Sequence, residues 1–275
     1  MAERPRPTKF KRKKLAHTLD REIFNSIVKE TESLLERRFT MLAEDFDDIS
    51  KTNFNPLLLL IVAPVYNIYS PFEIAERLQL QKAFHGDDTA FGKFAEAKIL
   101  PLFGAKEPLK KKDEKSKNVW SPIDCEIDIE GKRHLFSLKS GPWTMNQTHA
   151  AEMHAQFPVI HEETKAPILI GIFYGRYGNL NNKPELVRQR LGDPDWFDYL
   201  VGKDFWEFVT GVKDVHKEIF QAIRKAQKAF GEKHKDETFH EKLVSNRLKI
   251  AASLRKSFDV DADEDFWETL FNNMF

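Results

Sequence analysis

The chain has 275 residues, 41% of them hydrophobic and 12% aromatic, enough to bury one large core or two modest ones, which excludes a disordered chain. Its 43 basic and 43 acidic residues cancel, so a polyanion would have to be held by local patches, not by overall charge. The single cysteine, Cys125, excludes an internal disulfide and fits a reducing compartment, with the cytoplasm as the expected location.

Residues 1–14, MAERPRPTKFKRKK, form a basic arm with no apolar signal-peptide core after it. Leu19, Ile23, Ile27, Leu34 and Leu42 recur at helical spacing and predict a long amphipathic helix from Leu15 to Ala43. Asn55-Pro56 opens the run LLLLIVAPVYNIY, which Pro64 should kink or end. Its longest apolar run, Leu57 to Ala63, is too short to span a bilayer, so no membrane segment is expected. Ser70, as N-cap ahead of Pro71, starts a further helix to about Phe84. Gly86-Asp87-Asp88-Thr89 then precedes a separate helix, AFGKFAEAKILPLFG, ending near Pro101. The loop KEPLKKKDEKSKN that follows is charged and poor in apolar residues, and mobility is expected of it.

From Ser121 onward, Ile123, Cys125, Ile127 and Ile129 alternate with Asp124, Glu126, Asp128 and Glu130, and Gly131-Lys132 supplies a turn. A β-hairpin is predicted, with the acids on its wet face. The return strand, His134 to Lys139, brings Lys139 back to the level of Asp124. Asp124 and the backbone carbonyl of Leu138 are hard oxygen ligands suited to magnesium, and Lys139 can orient a water. A further carboxylate is expected, with Glu96 from the upstream helix and Glu126 as the candidates. Cys125 reads as a core residue and not as a nucleophile. Beyond Gly141-Pro142, Asn146 to Phe157 is predicted as a helix beside the hairpin, and ILIGIFYG after Pro167 as an interior strand with Tyr174 and Arg176 at its exit. His149 and Glu152 share a helical face, but no second His or Cys pair completes a zinc set. GNLNNKPE is turn-rich, Trp196, Phe197, Phe205, Trp206 and Phe208 form an aromatic cluster, and helices return from about Asp214. The expected division is the arm, a helical region at 15–84, a core at 85–212 and a helical region at 213–275 packing with the first.

The segments DDTAFGKFAEAKILPLFGA, FSLKSGPWTMNQ, ILIGIFYG and GKDFWEF, in that order, resemble landmarks of a branch of type II restriction endonucleases in the PD-(D/E)XK superfamily, the branch that cuts interrupted palindromes of the GGNCC kind. The resemblance covers roughly Asp87 to Val209. It implies an α/β fold, a small mixed sheet flanked by helices, with a helical dimerisation region drawn from both ends of the chain. It also implies magnesium-dependent cleavage of double-stranded DNA by a homodimer that works beside a cognate DNA methyltransferase. In the superfamily pattern the first acid falls on Asp124 and the lysine on Lys139. Ser137 stands where the second acid usually does, so Glu96 is the expected replacement and Ser137 contributes at most its hydroxyl.

DNA contact is expected from several groups. Arg4, Arg6, Lys9, Lys11 to Lys14 and the loop Lys110 to Lys117, with Lys110, Lys111 and Lys112 foremost, can neutralise phosphates, although the arm reads equally as a solubilising tail. Trp143, Thr144, Asn146, Gln147 and His149 follow the lysine closely enough to reach a groove or the backbone, and Arg176 can pair with guanine. Two rivals stand beside the restriction enzyme: a structure-selective repair or recombination nuclease, and a DNA-binding protein without catalysis, for which Ser137 is the chief argument.

Overall fold

A computed structural model describes residues 8–44, 56–112, 118–235 and 239–258, together with 267, 268 and 272. The chain divides into two compact units, Met1–Glu30 with Ala90–Lys225, and Thr31–Thr89 with Ala226–Phe275.

The first unit is built on a four-stranded mixed sheet in the order β1 (Cys125–Ile129), β2 (Lys132–Lys139), β3 (Ile168–Ile172), β4 (Phe197–Val201). β1 and β2 are antiparallel, joined by a tight turn in which Glu130 and Gly131 both take positive φ, as the twist of a two-residue hairpin requires. β3 lies parallel to β2, and β4 parallel to β3. Parallel neighbours need crossover helices, here α4 (Gln147–Thr164) and α5 (Lys183–Arg190).

Alternation along the strands sorts the two faces. Leu135, Ile168, Ile170, Ile172, Phe197, Tyr199 and Val201 share one core with Met153, Phe157 and Ile160 of α4. Phe136 and Gly171 point the other way, toward α6 (Lys203–Thr210), where Phe136 meets Phe205 edge-on at 6.1 Å. A Cβ at Gly171 would lie 2.4 Å from the Phe205 ring and 3.1 Å from Leu138 Cδ2. Gly171→Ala is therefore expected to destabilise the protein by about 1–3 kcal/mol, read as a lower midpoint in thermal unfolding.

On this second face the described part of the arm is a strap. The Thr8 hydroxyl and the Lys9 N–H donate to Asp198 of β4 at 3.1 and 2.9 Å. Phe10 meets Phe208 and His134 edge-on, each at 6.1 Å. The Arg12 guanidinium donates to the carbonyls of Phe208 and Val209, and the Lys13 N–H to Glu130.

Several elements differ from expectation. The first helix, α1 (Arg21–Glu44), starts six residues later than Leu15, because the Asp20 carboxylate caps the N–H groups of Glu22 and Ile23. α3 (Pro71–Phe94) runs straight through Gly86, where a break was expected; a helical glycine costs only about 1 kcal/mol. α4 continues past Phe157 and Pro158 to Thr164, since Ile160 extends its buried stripe. β4, α5 and α6 were not expected as elements.

In the second unit, α2 (Pro56–Tyr66) ends two residues after Pro64. Ala63, Ile68, Ile74, Ala75 and Leu78 form a core with Ile250, Ala251 and Leu254 of α8 (Phe239–Phe258), reinforced by Arg247 pairing with Glu76 at 2.7 Å. α7 (Val215–Lys233) contributes Phe230, edge-on to Phe39 of α1. No helix among the described residues is long and apolar enough to cross a membrane.

Candidate active site

The hairpin register sets the site. Cys125 pairs with Phe136, and just ahead of the strand the Asp124 N–H donates to the Phe136 carbonyl at 2.7 Å. Asp124 Oδ2 accepts the Leu138 N–H at 2.6 Å, a charge-assisted bond that fixes its rotamer. Oδ1 faces the Lys111 ammonium at 3.6 Å. At the end of β2, Lys139 donates from Nζ to the Leu138 carbonyl at 2.9 Å and to Ser137 Oγ at 3.4 Å. Burial lowers the pKa of this ammonium below the usual lysine value, while the carboxylates of Asp124, Glu152 and Glu96 oppose the shift.

Glu96 arrives from outside the sheet. The end of α3 packs against the strand exits, Phe91 lying edge-on to Phe173 and Tyr174 at 6.3 and 6.0 Å. A π-helical turn, Ala95–Ile99, follows and carries Glu96. Its carboxyl is held above the ordinary glutamate value, first by burial and then by repulsion from Asp124, with Lys111 and Lys139 opposing. Asp124, Lys139 and Glu96 thus interact as one electrostatic cluster.

Among the described residues, no three His, Cys, Asp or Glu side chains gather to hold a metal ion. The donor set is smaller: the carboxylates of Asp124 and Glu96 and the Leu138 carbonyl, hard oxygens of the kind magnesium takes alongside waters. The repulsion between the two carboxylates is what a divalent cation relieves, so the residues present fit such an ion.

Glu126 departs from expectation. Instead of lying on a wet face it is buried to 8% exposure, bonded by Arg133 and paired with Lys106 at 3.4 Å. The segment before β1 causes this, since Lys106 and Glu126 exchange two backbone hydrogen bonds along the strand's outer edge. Ser137 is fully buried. The Cys125 thiol is buried too, and its pKa is pushed far up, first by burial and then by Asp124, so it stays protonated and inert.

The residues expected to meet DNA divide. Trp143 is 73% exposed, and Thr144, Gln147 and Arg176 are also at the surface. Asn146, also at the surface, and half-buried His149 form the capping box of α4, the Asn146 side chain accepting the His149 N–H at 2.9 Å. Lys110 pairs with Glu163 at 2.7 Å and Lys111 with Asp124. Lys9 and Arg12 are turned onto the protein, whereas Lys11, Lys13 and Lys14 are exposed. Arg4, Arg6, the Lys112 side chain and residues 113–117 lie outside the described residues.

Two neighbours were not expected at the hairpin. Glu152 of α4 accepts a hydrogen bond from Ser121 and acts on Lys139; its spacing from His149 was the available signal, weighed only for zinc. Lys111 carried no such signal within its run of lysines.

A family model described as Type II restriction endonuclease EcoO109I matches residues 21–231. No curated protein matches the chain.

Proposed function

Because the chain belongs to the family of the type II restriction endonuclease EcoO109I, we propose that it hydrolyses both strands of duplex DNA at a specific sequence, with magnesium, through the site at the head of the β1–β2 hairpin. The observation that carries this reading is the geometry at one end of the hairpin, where the Leu138 N–H holds Asp124 and the Leu138 carbonyl holds Lys139, with Glu96 within electrostatic reach of both. It corresponds to a PD-(D/E)XK site in which Ser137 replaces the second acid and Glu96 supplies it from a helix.

Asp124, Glu96 and the Leu138 carbonyl are the proposed holders of magnesium. When bound, the ion stabilises charge on the phosphoryl oxygens and favours ionisation of the attacking water. Asp124 is oriented for its part by the Leu138 N–H. Lys139, anchored at 2.9 Å to the Leu138 carbonyl, orients the water and donates a hydrogen bond toward the phosphate. Water attacks phosphorus and gives up a proton to solvent, the bond to the leaving sugar oxygen breaks, and solvent supplies a proton to that oxygen.

Exposed Trp143, Thr144, Gln147 and Arg176 are the proposed DNA contacts. A palindromic target is met by a two-fold homodimer, each protomer cutting one strand, and a cognate methyltransferase protects host DNA. Phage DNA incubated with the protein and magnesium is expected to give discrete bands whose ends, sequenced by run-off, share one motif. Calcium is expected to support binding without cutting. A smear, or cleavage confined to branched DNA, would sink the restriction reading, and specific binding without any cleavage would favour a non-catalytic protein.

A further inference from the structure

Lys111 is in a run of lysines suited to phosphate contact, yet it points inward. A short 3-10 turn, Leu109–Lys112, carries it. The Lys111 N–H closes that turn on the Pro108 carbonyl, Lys110 pairs with Glu163 of α4, and just upstream Lys106 is stitched to Glu126 at the edge of β1. The Lys111 side chain then reaches Asp124 Oδ1 at 3.6 Å, while the other carboxylate oxygen is taken by the Leu138 N–H.

We propose that Lys111 is a resident counter-ion of the metal site, its ammonium holding Asp124 Oδ1 until a divalent cation displaces it. The inference rests on the reading of Asp124 as a metal ligand. An ammonium and a divalent cation compete for the same carboxylate oxygen, so each must weaken the other's hold. Lysine suits the exchange: a flexible four-carbon stem can swing its charge away while the backbone turn stays in place. The side chain keeps 27% exposure, which leaves a path outward. Once displaced, the ammonium is available to a DNA phosphate, so cation and DNA assist each other's binding.

The test uses the full chain without DNA and reads manganese binding from the electron paramagnetic resonance signal of the free ion. Lys111→Met is expected to tighten binding about fivefold, in line with the loss of one partly exposed ion pair. Lys111→Arg, which keeps the charge, should bind as the wild type does, and Asp124→Asn should lose the site. If Lys111→Met binds manganese no more tightly while Asp124→Asn loses it, the counter-ion role is overturned and Asp124 remains a ligand. If Asp124→Asn leaves manganese binding unchanged, the metal assignment falls and the counter-ion role with it.

Discussion

Asp124→Asn and Lys139→Ala are each expected to lower DNA cleavage by roughly a thousandfold or more, because in the proposed mechanism each removes a group that acts on the transition state rather than on DNA binding. Neither change should unfold the protein. Asparagine can still accept the Leu138 N–H that Asp124 Oδ2 accepts now. Burial lowers the pKa of Lys139, so folding does not gain from its ammonium, and truncation should leave thermal stability nearly unchanged. Glu96→Gln is expected to give a smaller loss, since it removes one carboxylate from the donor set and leaves the hairpin untouched. The measurement is conversion of supercoiled plasmid to nicked and linear forms in magnesium, beside a melting curve for each variant. Wild-type cutting by either of the first two would remove the hairpin from the mechanism.

Deleting residues 1–14 is expected to cost about 2–4 kcal/mol of stability, the scale for losing several hydrogen bonds together with a packed aromatic ring. Asp198 sits fully buried in β4 and receives the Thr8 hydroxyl and the Lys9 N–H. The same deletion removes both Arg12 bonds to the Phe208 and Val209 carbonyls and the Phe10 ring. A phosphate-binding tail predicts the opposite pattern, an unchanged melting temperature with weaker, less salt-dependent DNA binding, and a solubilising tail predicts neither change. Repeating the deletion in an Asp198→Asn background isolates the carboxylate, because the two losses should then add to less than their sum. If the deletion leaves stability intact, the strap contributes nothing.

Much of the hairpin was legible because its signals agree: apolar residues alternate, Gly131 marks the turn, and the antiparallel return places Lys139 near Asp124. β4 was hidden because both its faces are buried, which erases alternation, and Asp198 inside it looks like a loop residue until the strap is seen to satisfy it. α5 was hidden by turn chemistry at its start. Asn182 and Pro184 read as a loop, whereas Pro184 lies in the first turn of a helix, where its missing N–H costs nothing. Glu126 was misjudged for a different reason: alternation tells which residues share a face, but not whether that face meets water or a covering segment. Glu96 could be suspected from the superfamily resemblance and the gap at Ser137, but only tertiary packing brings it to Asp124.

The buried thiol of Cys125 has a practical consequence. It is the chain's only cysteine, shut in the sheet and held protonated, so the native protein is a silent background for thiol-directed labels. A cysteine introduced at exposed Trp143 would then carry a fluorophore alone, without a cysteine-free background having to be made first. Such a reporter, beside the strand that bears Lys139, allows docking of a duplex to be timed separately from the cut.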